Sequence, residues 1–130
     1  MTAHLEAVHP VLMVRDVLTS LRFYRDLGFD LAFADSETDP KYASIRRDGV
    51  ELHLQWHEAK DFSPGDRPTY RFVVRDVDGL SDEFASRATG LDRSEVANTL
   101  WGTREFHVRD PDRNGLQFYR TLRGPSRGAA

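Results

Sequence analysis

The chain has 130 residues and a mass of 14.9 kDa, enough for one domain that buries a core without disulfides or a structural metal. Its 18 basic and 21 acidic side chains are spread without a basic run, which argues against a nucleic-acid partner. The absence of cysteine removes any disulfide framework, thiolate metal site or cysteine nucleophile. No stretch nears the ~20 apolar residues that span a bilayer, and 1–9 has no cationic start followed by an apolar run. A cytoplasmic protein without a membrane partner is expected.

In chain order, Val8 to Val14 reads as a strand, Asp16 as a helix N-cap and Leu18 to Leu27 as a helix stopped by Gly28. Phe29 to Ala34 is predicted as a strand. Tyr42 to Arg46 and Val50 to Trp56 follow as two strands joined by the turn pair Asp48-Gly49. A linker from Ala59 to Pro68 carries two prolines and a glycine. The order then repeats: strand Thr69 to Val74, helix Gly79 to Ala88, a short strand near Arg93 to Val96, and strands Glu105 to Val108 and Leu116 to Thr121. The turn formers Asp110-Pro111-Asp112-Arg113-Asn114-Gly115 separate the last two. The tail, 122–130, reads as a frayed end.

The repeat is visible in the letters. Val14-Arg15-Asp16-Val17 recurs sixty residues later as Val74-Arg75-Asp76-Val77. Asp48-Gly49-Val50-Glu51-Leu52-His53 is echoed sixty-six residues on by Asn114-Gly115-Leu116-Gln117-Phe118-Tyr119. The chain is therefore expected to hold two βαβββ modules, about 8–58 and 69–121, within a single domain, 1–130.

Alternation along the strands sorts the side chains into two faces. Leu52 and Leu54 share one face, and Glu51, His53 and Gln55 the other. Phe106 and Val108 oppose Glu105 and His107, and Leu116 and Phe118 oppose Gln117 and Tyr119. Arg71 stands with Thr69 and Val73 against Tyr70, Phe72 and Val74. If the sheets curl toward each other, the polar faces line a cleft; plain solvent exposure is the alternative. On the helices, Phe23 is expected to pack in the core. Glu51 is expected to pair with Arg71 if it does not meet a ligand.

Several runs carry a family resemblance: 9–17, Phe23-Tyr24-Arg25-Asp26-Leu27-Gly28-Phe29, Trp101-Gly102-Thr103-Arg104-Glu105-Phe106 and Asp110-Pro111-Asp112-Arg113-Asn114-Gly115-Leu116-Gln117. In this order they resemble the vicinal oxygen chelate superfamily of glyoxalases, extradiol dioxygenases and bleomycin resistance proteins. The Trp101-Gly102 pair resembles the bleomycin resistance branch in particular. The resemblance implies an α+β fold of two tandem βαβββ modules, a curved mixed sheet around a cleft, and a homodimer.

Metalloenzymes of that superfamily bind through four matching positions, which fall here on His9, Glu51, Thr69 and Gln117. Threonine is a poor ligand and glutamine cannot cycle a proton. The resemblance therefore implies a non-enzymatic binding protein that sequesters an aromatic or cationic small molecule, as in antibiotic resistance, without a cofactor. Its expected ligand-binding residues are Glu51, His53, Gln55, Trp56, Arg71, Trp101, Glu105, His107, Gln117 and Tyr119. The alternative is a metal-dependent glyoxalase-like lyase, isomerase or dioxygenase with a divalent ion on His9 and Glu51, and any weak metal site would use His9, Glu51 and Gln117.

Overall fold

The computed structural model describes residues 1–65 and 67–122. It divides into two compact units that meet in sequence at Phe62 and Ser63, inside the expected linker. The first unit contains β1 (Val11–Val14), α1 (Val17–Asp26), β2 (Asp30–Ala34), β3 (Tyr42–Arg47) and β4 (Val50–Trp56). The second contains β5 (Thr69–Val73), α2 (Val77–Arg87), β6 (Ala97–Asn98), β7 (Thr103–Arg109) and β8 (Gly115–Thr121). Each unit is thus one βαβββ module with a four-stranded mixed sheet, ordered β1-β4-β3-β2 and β5-β8-β7-β6. In each, the first strand runs parallel to the last and the other pairings are antiparallel. No helix among the described residues is long and apolar enough to cross a membrane.

The repeated aspartates do the same work in both modules. Asp16 accepts from the Thr19 amide at 3.2 Å and Asp76 from the Gly79 amide at 2.9 Å, each satisfying a donor that a helix start leaves free. At the other end of α1, Arg47 Nη1 donates to the Leu27 carbonyl at 2.7 Å, a cation where the helix dipole is negative.

The first core is built from Leu12, Val14, Val17, Tyr24, Leu27, Ile45, Leu52 and Leu54, all at most 2% exposed. Tyr24, not Phe23, is the buried aromatic of α1, with Phe23 half-buried and edge-on to it. The helical period explains this: Tyr24 lies seven residues after buried Val17, about two turns, whereas Phe23 is rotated off that face. In the second core Phe84 meets Phe106 and Phe118 edge-on, and Phe118 stacks with Phe72 and Phe106. Phe84 follows Tyr24 by sixty residues, so the two aromatics are counterparts.

Two expectations shift. The short strand forms at Ala97–Asn98 instead of Arg93 to Val96, because Arg93 makes only an isolated bridge to Val108. The linker contains one 3-10 turn, Ala59–Asp61. Of the tail read as frayed, only Leu122 falls within the described residues.

The turn between β7 and β8 shows what its sequence motif is for. Asp110, 3% exposed, accepts from the Asp112 amide at 2.9 Å, the Asn114 amide at 2.8 Å and Asn114 Nδ2 at 3.0 Å. Arg113 adopts a left-handed φ of 70° to close the loop. A Cβ at Gly115 would lie 2.7 Å from Thr69 Oγ1, so a larger residue at the start of β8 would require the Thr69 side chain to move.

Candidate functional site

The two sheet faces turned away from the helices carry the candidate residues. In the first module, Glu51 and His53 sit two apart on β4 and therefore share a face. His53 pairs with Val11 across the parallel ladder, and its amide donates to the Pro10 carbonyl at 2.9 Å, which brings the strand entry at His9 beside them. His53 Nε2 and Glu51 Oε2 are 2.8 Å apart, and His9 Nε2 is 3.7 Å from Glu51 Oε1. The His9 and His53 rings lie 4.7 Å apart, tilted by 33°. The far nitrogen of His53, Nδ1, shares a 2.6 Å hydrogen bond with the Tyr42 hydroxyl, and Arg46 Nε donates to Glu51 Oε1 at 2.9 Å. The bonds from His53 and Arg46 hold the Glu51 carboxyl below its ordinary range against some desolvation, with the charges of His9 and Arg46 adding to the effect.

In the second module the same face is filled differently. Arg71 Nη1 donates to the Gln117 side-chain oxygen at 2.8 Å, and its guanidinium lies 3.9 Å from the centre of the Tyr119 ring. Arg71 also stands 3.8 Å from Glu105, which is 4% exposed. Glu105 accepts from Thr103 Oγ1 at 2.8 Å and bonds His107 Nε2 at 3.0 Å. Burial is the largest single influence on Glu105 and raises its carboxyl. The bonds from His107 and Thr103, with the charges of His107 and Arg71, outweigh it and leave the group below the ordinary range. Trp101, in the loop before β7, is 63% exposed.

Several sequence expectations are corrected by these contacts. Glu51 pairs with Arg46, and the carboxylate beside Arg71 is Glu105. Trp56 does not join Glu51, His53 and Gln55: it is in register with Val14 and shares the helix-facing side with Leu52 and Leu54. There it lines a cavity of about 260 Å³ with Arg15, Asp16 and Lys41, and the Lys41 ammonium lies 4.5 Å from the centre of its ring. Gln55 is exposed and bonds His57 at 3.1 Å. Tyr42, Arg46 and Thr103 were not singled out. Arg46 was accessible to reasoning, since the Asp48-Gly49 turn sets it directly opposite Glu51.

The register also revises which positions correspond. The echo of Asp48-Gly49 in Asn114-Gly115 equates Glu51 with Gln117. The ladders pair Val11 with His53 and Arg71 with Gln117, and Arg71 follows Val11 by the sixty-residue repeat, so the counterpart of Gln117 is His53. By the same count Gln55 corresponds to Tyr119, through Met13 and Val73.

These contacts test the four-position metal arrangement directly. Thr69 is exposed and neutral, and the Gln117 oxygen that would face an ion is engaged by a guanidinium, whose positive charge repels a cation. The second module's pair therefore does not fit a divalent ion.

Residues 6–118 match the family model described as Glyoxalase/Bleomycin resistance protein/Dioxygenase superfamily. The bleomycin-binding protein of bleomycin-producing Streptomyces verticillus, solved with copper(II)-bleomycin, is 30% identical, with a TM-score of 0.72 over 91% of this chain and 97% of that one. The bleomycin resistance determinant encoded on the transposon TN5 is 18% identical and shares the fold, with a TM-score of 0.76 over 90% of this chain and 98% of that one. The uncharacterized protein YraH of Bacillus subtilis is 25% identical over 85% of this chain and 94% of its own length.

Proposed function

The chain belongs to the Glyoxalase/Bleomycin resistance protein/Dioxygenase superfamily, and from that membership we propose that it is a small-molecule binding protein that sequesters an aromatic or cationic ligand without metal-dependent chemistry. The observation that carries this reading is the bond from Arg71 to Gln117. A glyoxalase-type isomerisation needs a basic carboxylate there to move a proton from carbon, and a neutral amide held by a guanidinium does not take one. What the second module offers instead is recognition: the open indole of Trp101 for stacking and the half-exposed His107 for hydrogen bonds.

The kinship with the bleomycin-binding protein of Streptomyces verticillus, at 30% identity, supports a drug-like ligand. Antibiotic resistance is the physiological role this reading assigns. A metal-dependent lyase, isomerase or dioxygenase using His9 and Glu51 is the weaker reading, since Thr69 and Gln117 do not complete its site.

Titration with bleomycin-type glycopeptides and other flat aromatic cations, followed by thermal shift and tryptophan fluorescence, tests the proposal. A ligand at about a hundred times its Kd stabilises the fold by about 2.7 kcal/mol, and Trp101→Ala is expected to weaken binding about tenfold or more. Failure of every such compound to shift the midpoint would sink the reading. Light scattering that gives a mass near 14.9 kDa would remove the homodimer from it.

A further inference from the structure

We infer that the cavity beside Trp56 in the first module is a binding site for a small organic ammonium ion, and that Lys41 is its tethered occupant. Its aromatic wall, Trp56, points to the opposite side of β4 from Glu51 and His53, so the site is separate from the open face. The cavity holds about 260 Å³ between Trp56, Lys41, Asp39, Arg15 and Asp16. That is just under the ~300 Å³ at which small-molecule pockets usually begin, which suits an ammonium carrying one ring or a short chain. The chain's own ammonium is already held there as such a ligand would be. Lys41 Nζ lies 4.5 Å from the centre of the half-buried Trp56 ring and 3.3 Å from Asp39 Oδ1, with an aromatic face and a carboxylate together.

The second module shows this corner filled by the chain's own contacts. By the sixty-residue repeat Leu18 answers to Asp78, and by strand register Lys41 and Trp56 answer to Arg104 and Arg120. There Arg104 donates to both oxygens of Asp78 at 2.8 Å and to Asn98 at 2.8 Å. In the first module α1 offers Leu18, which cannot pair with a cation, and Lys41 turns to Asp39 of its own loop. These two side chains are 50% and 79% exposed, so the ion pair is weak and Lys41 can swing into solvent. The carboxylates of Asp16 and Asp39 then outnumber the one remaining cation of the lining, Arg15, whose guanidinium is stacked on the Phe62 ring at 3.9 Å. That balance favours a positive guest. The loop backbone is set in advance: Asp35 Oδ1 accepts from the Lys41 amide at 2.9 Å, Ser36 Oγ from the Asp39 amide at 3.1 Å, and the Trp56 amide donates to the Lys41 carbonyl at 2.8 Å. Binding therefore asks only one side chain to move.

Fluorescence titration of the whole chain in a Trp101→Phe background, where Trp56 is the sole indole, tests this with phenethylammonium as the probe and hydrocinnamate as its anionic counterpart. The expected result is a saturable change with the ammonium and none with the carboxylate. Lys41→Gln removes the competing cation and should raise affinity for the probe about fivefold, and adding Asp39→Asn to it should lower affinity again by about as much. Calorimetry on Trp56→Leu should show affinity reduced about tenfold or more, with circular dichroism checking the fold. Lys41→Gln, at a half-exposed position, carries the test if that variant does not fold. The inference is overturned by an absence of saturable change, by an ammonium affinity that stays level or falls in Lys41→Gln, or by binding that survives Trp56→Leu. It is overturned equally by hydrocinnamate binding that Lys41→Gln abolishes, which would make the cavity an anion site. A drug-like ligand is read separately through Trp101, so either reading can fail without the other.

Discussion

The two modules present the same strands and the same helix caps, yet their open faces carry different groups. On the first, His9, His53 and Arg46 gather around Glu51, whose side chain is 17% exposed. On the second, Arg71 lies over Tyr119, holds Gln117 and stands 3.8 Å from Glu105, whose side chain is 4% exposed. A duplicated scaffold fixes backbone positions and helix ends, because those depend on capping and apolar period. It does not fix the residues that point away from the core, and there the two copies are free to differ.

The largest effect should come from the shared frame. Phe84→Ala removes the aromatic that contacts both Phe106 and Phe118, and a loss of about 3–5 kcal/mol in denaturant unfolding is expected. Tyr24→Ala should cost a similar amount, since Tyr24 is its fully buried counterpart. A small loss at one and a large loss at the other would show that the two cores are not equivalent.

The faces should separate next. Glu105→Gln removes a buried anion that accepts from Thr103 and His107, and should cost about 1–3 kcal/mol at neutral pH. Glu51→Gln, at a more exposed position with Arg46 able to turn to solvent, should cost less. The pH dependence has a definite sign. Both carboxyls are lowered in the folded chain, so their stabilisation is complete above the unfolded value of about 4.3 and is lost as pH falls through the lower folded one. Thermal midpoints of wild type and Glu105→Gln should therefore converge as pH falls below about 4. A gap that widens on acidification would contradict the assignment.

What the sequence disclosed followed the same division. The Val-Arg-Asp-Val repeat, the Asp48-Gly49 hairpin and the strand alternation were enough for two βαβββ modules and for the sides on which Glu51, His53 and Gln117 lie. The register between modules was not legible. The Asp-Gly and Asn-Gly pairs align turns of different length, and rung-to-rung pairing with β1 and β5 moves the counterpart of Gln117 from Glu51 to His53. Depth was not legible either: alternation puts Glu105 and His107 on one side, but only the surrounding packing makes the first 4% and the second 46% exposed. Trp56 could have been assigned correctly, since the alternation that buries Leu52 and Leu54 carries it to the same side.

The smallest effect lies in the repeated aspartates. Asp16→Ala and Asp76→Ala should each cost about 1 kcal/mol, because each leaves a helix-start amide unsatisfied. The third residue after the cap differs, Thr19 in one module and Gly79 in the other. A Cβ at Gly79 would collide with the Asp76 carboxylate, so glycine allows the tighter 2.9 Å bond where Thr19 leaves 3.2 Å. Glycine in a helix normally costs about 1 kcal/mol relative to alanine. Gly79→Ala should therefore gain little in the wild type, where it displaces the cap, and should gain nearly the full amount in an Asp76→Ala background. The double-mutant cycle measured by urea unfolding reads that coupling directly, and simple additivity would mean that the glycine is not there for the cap.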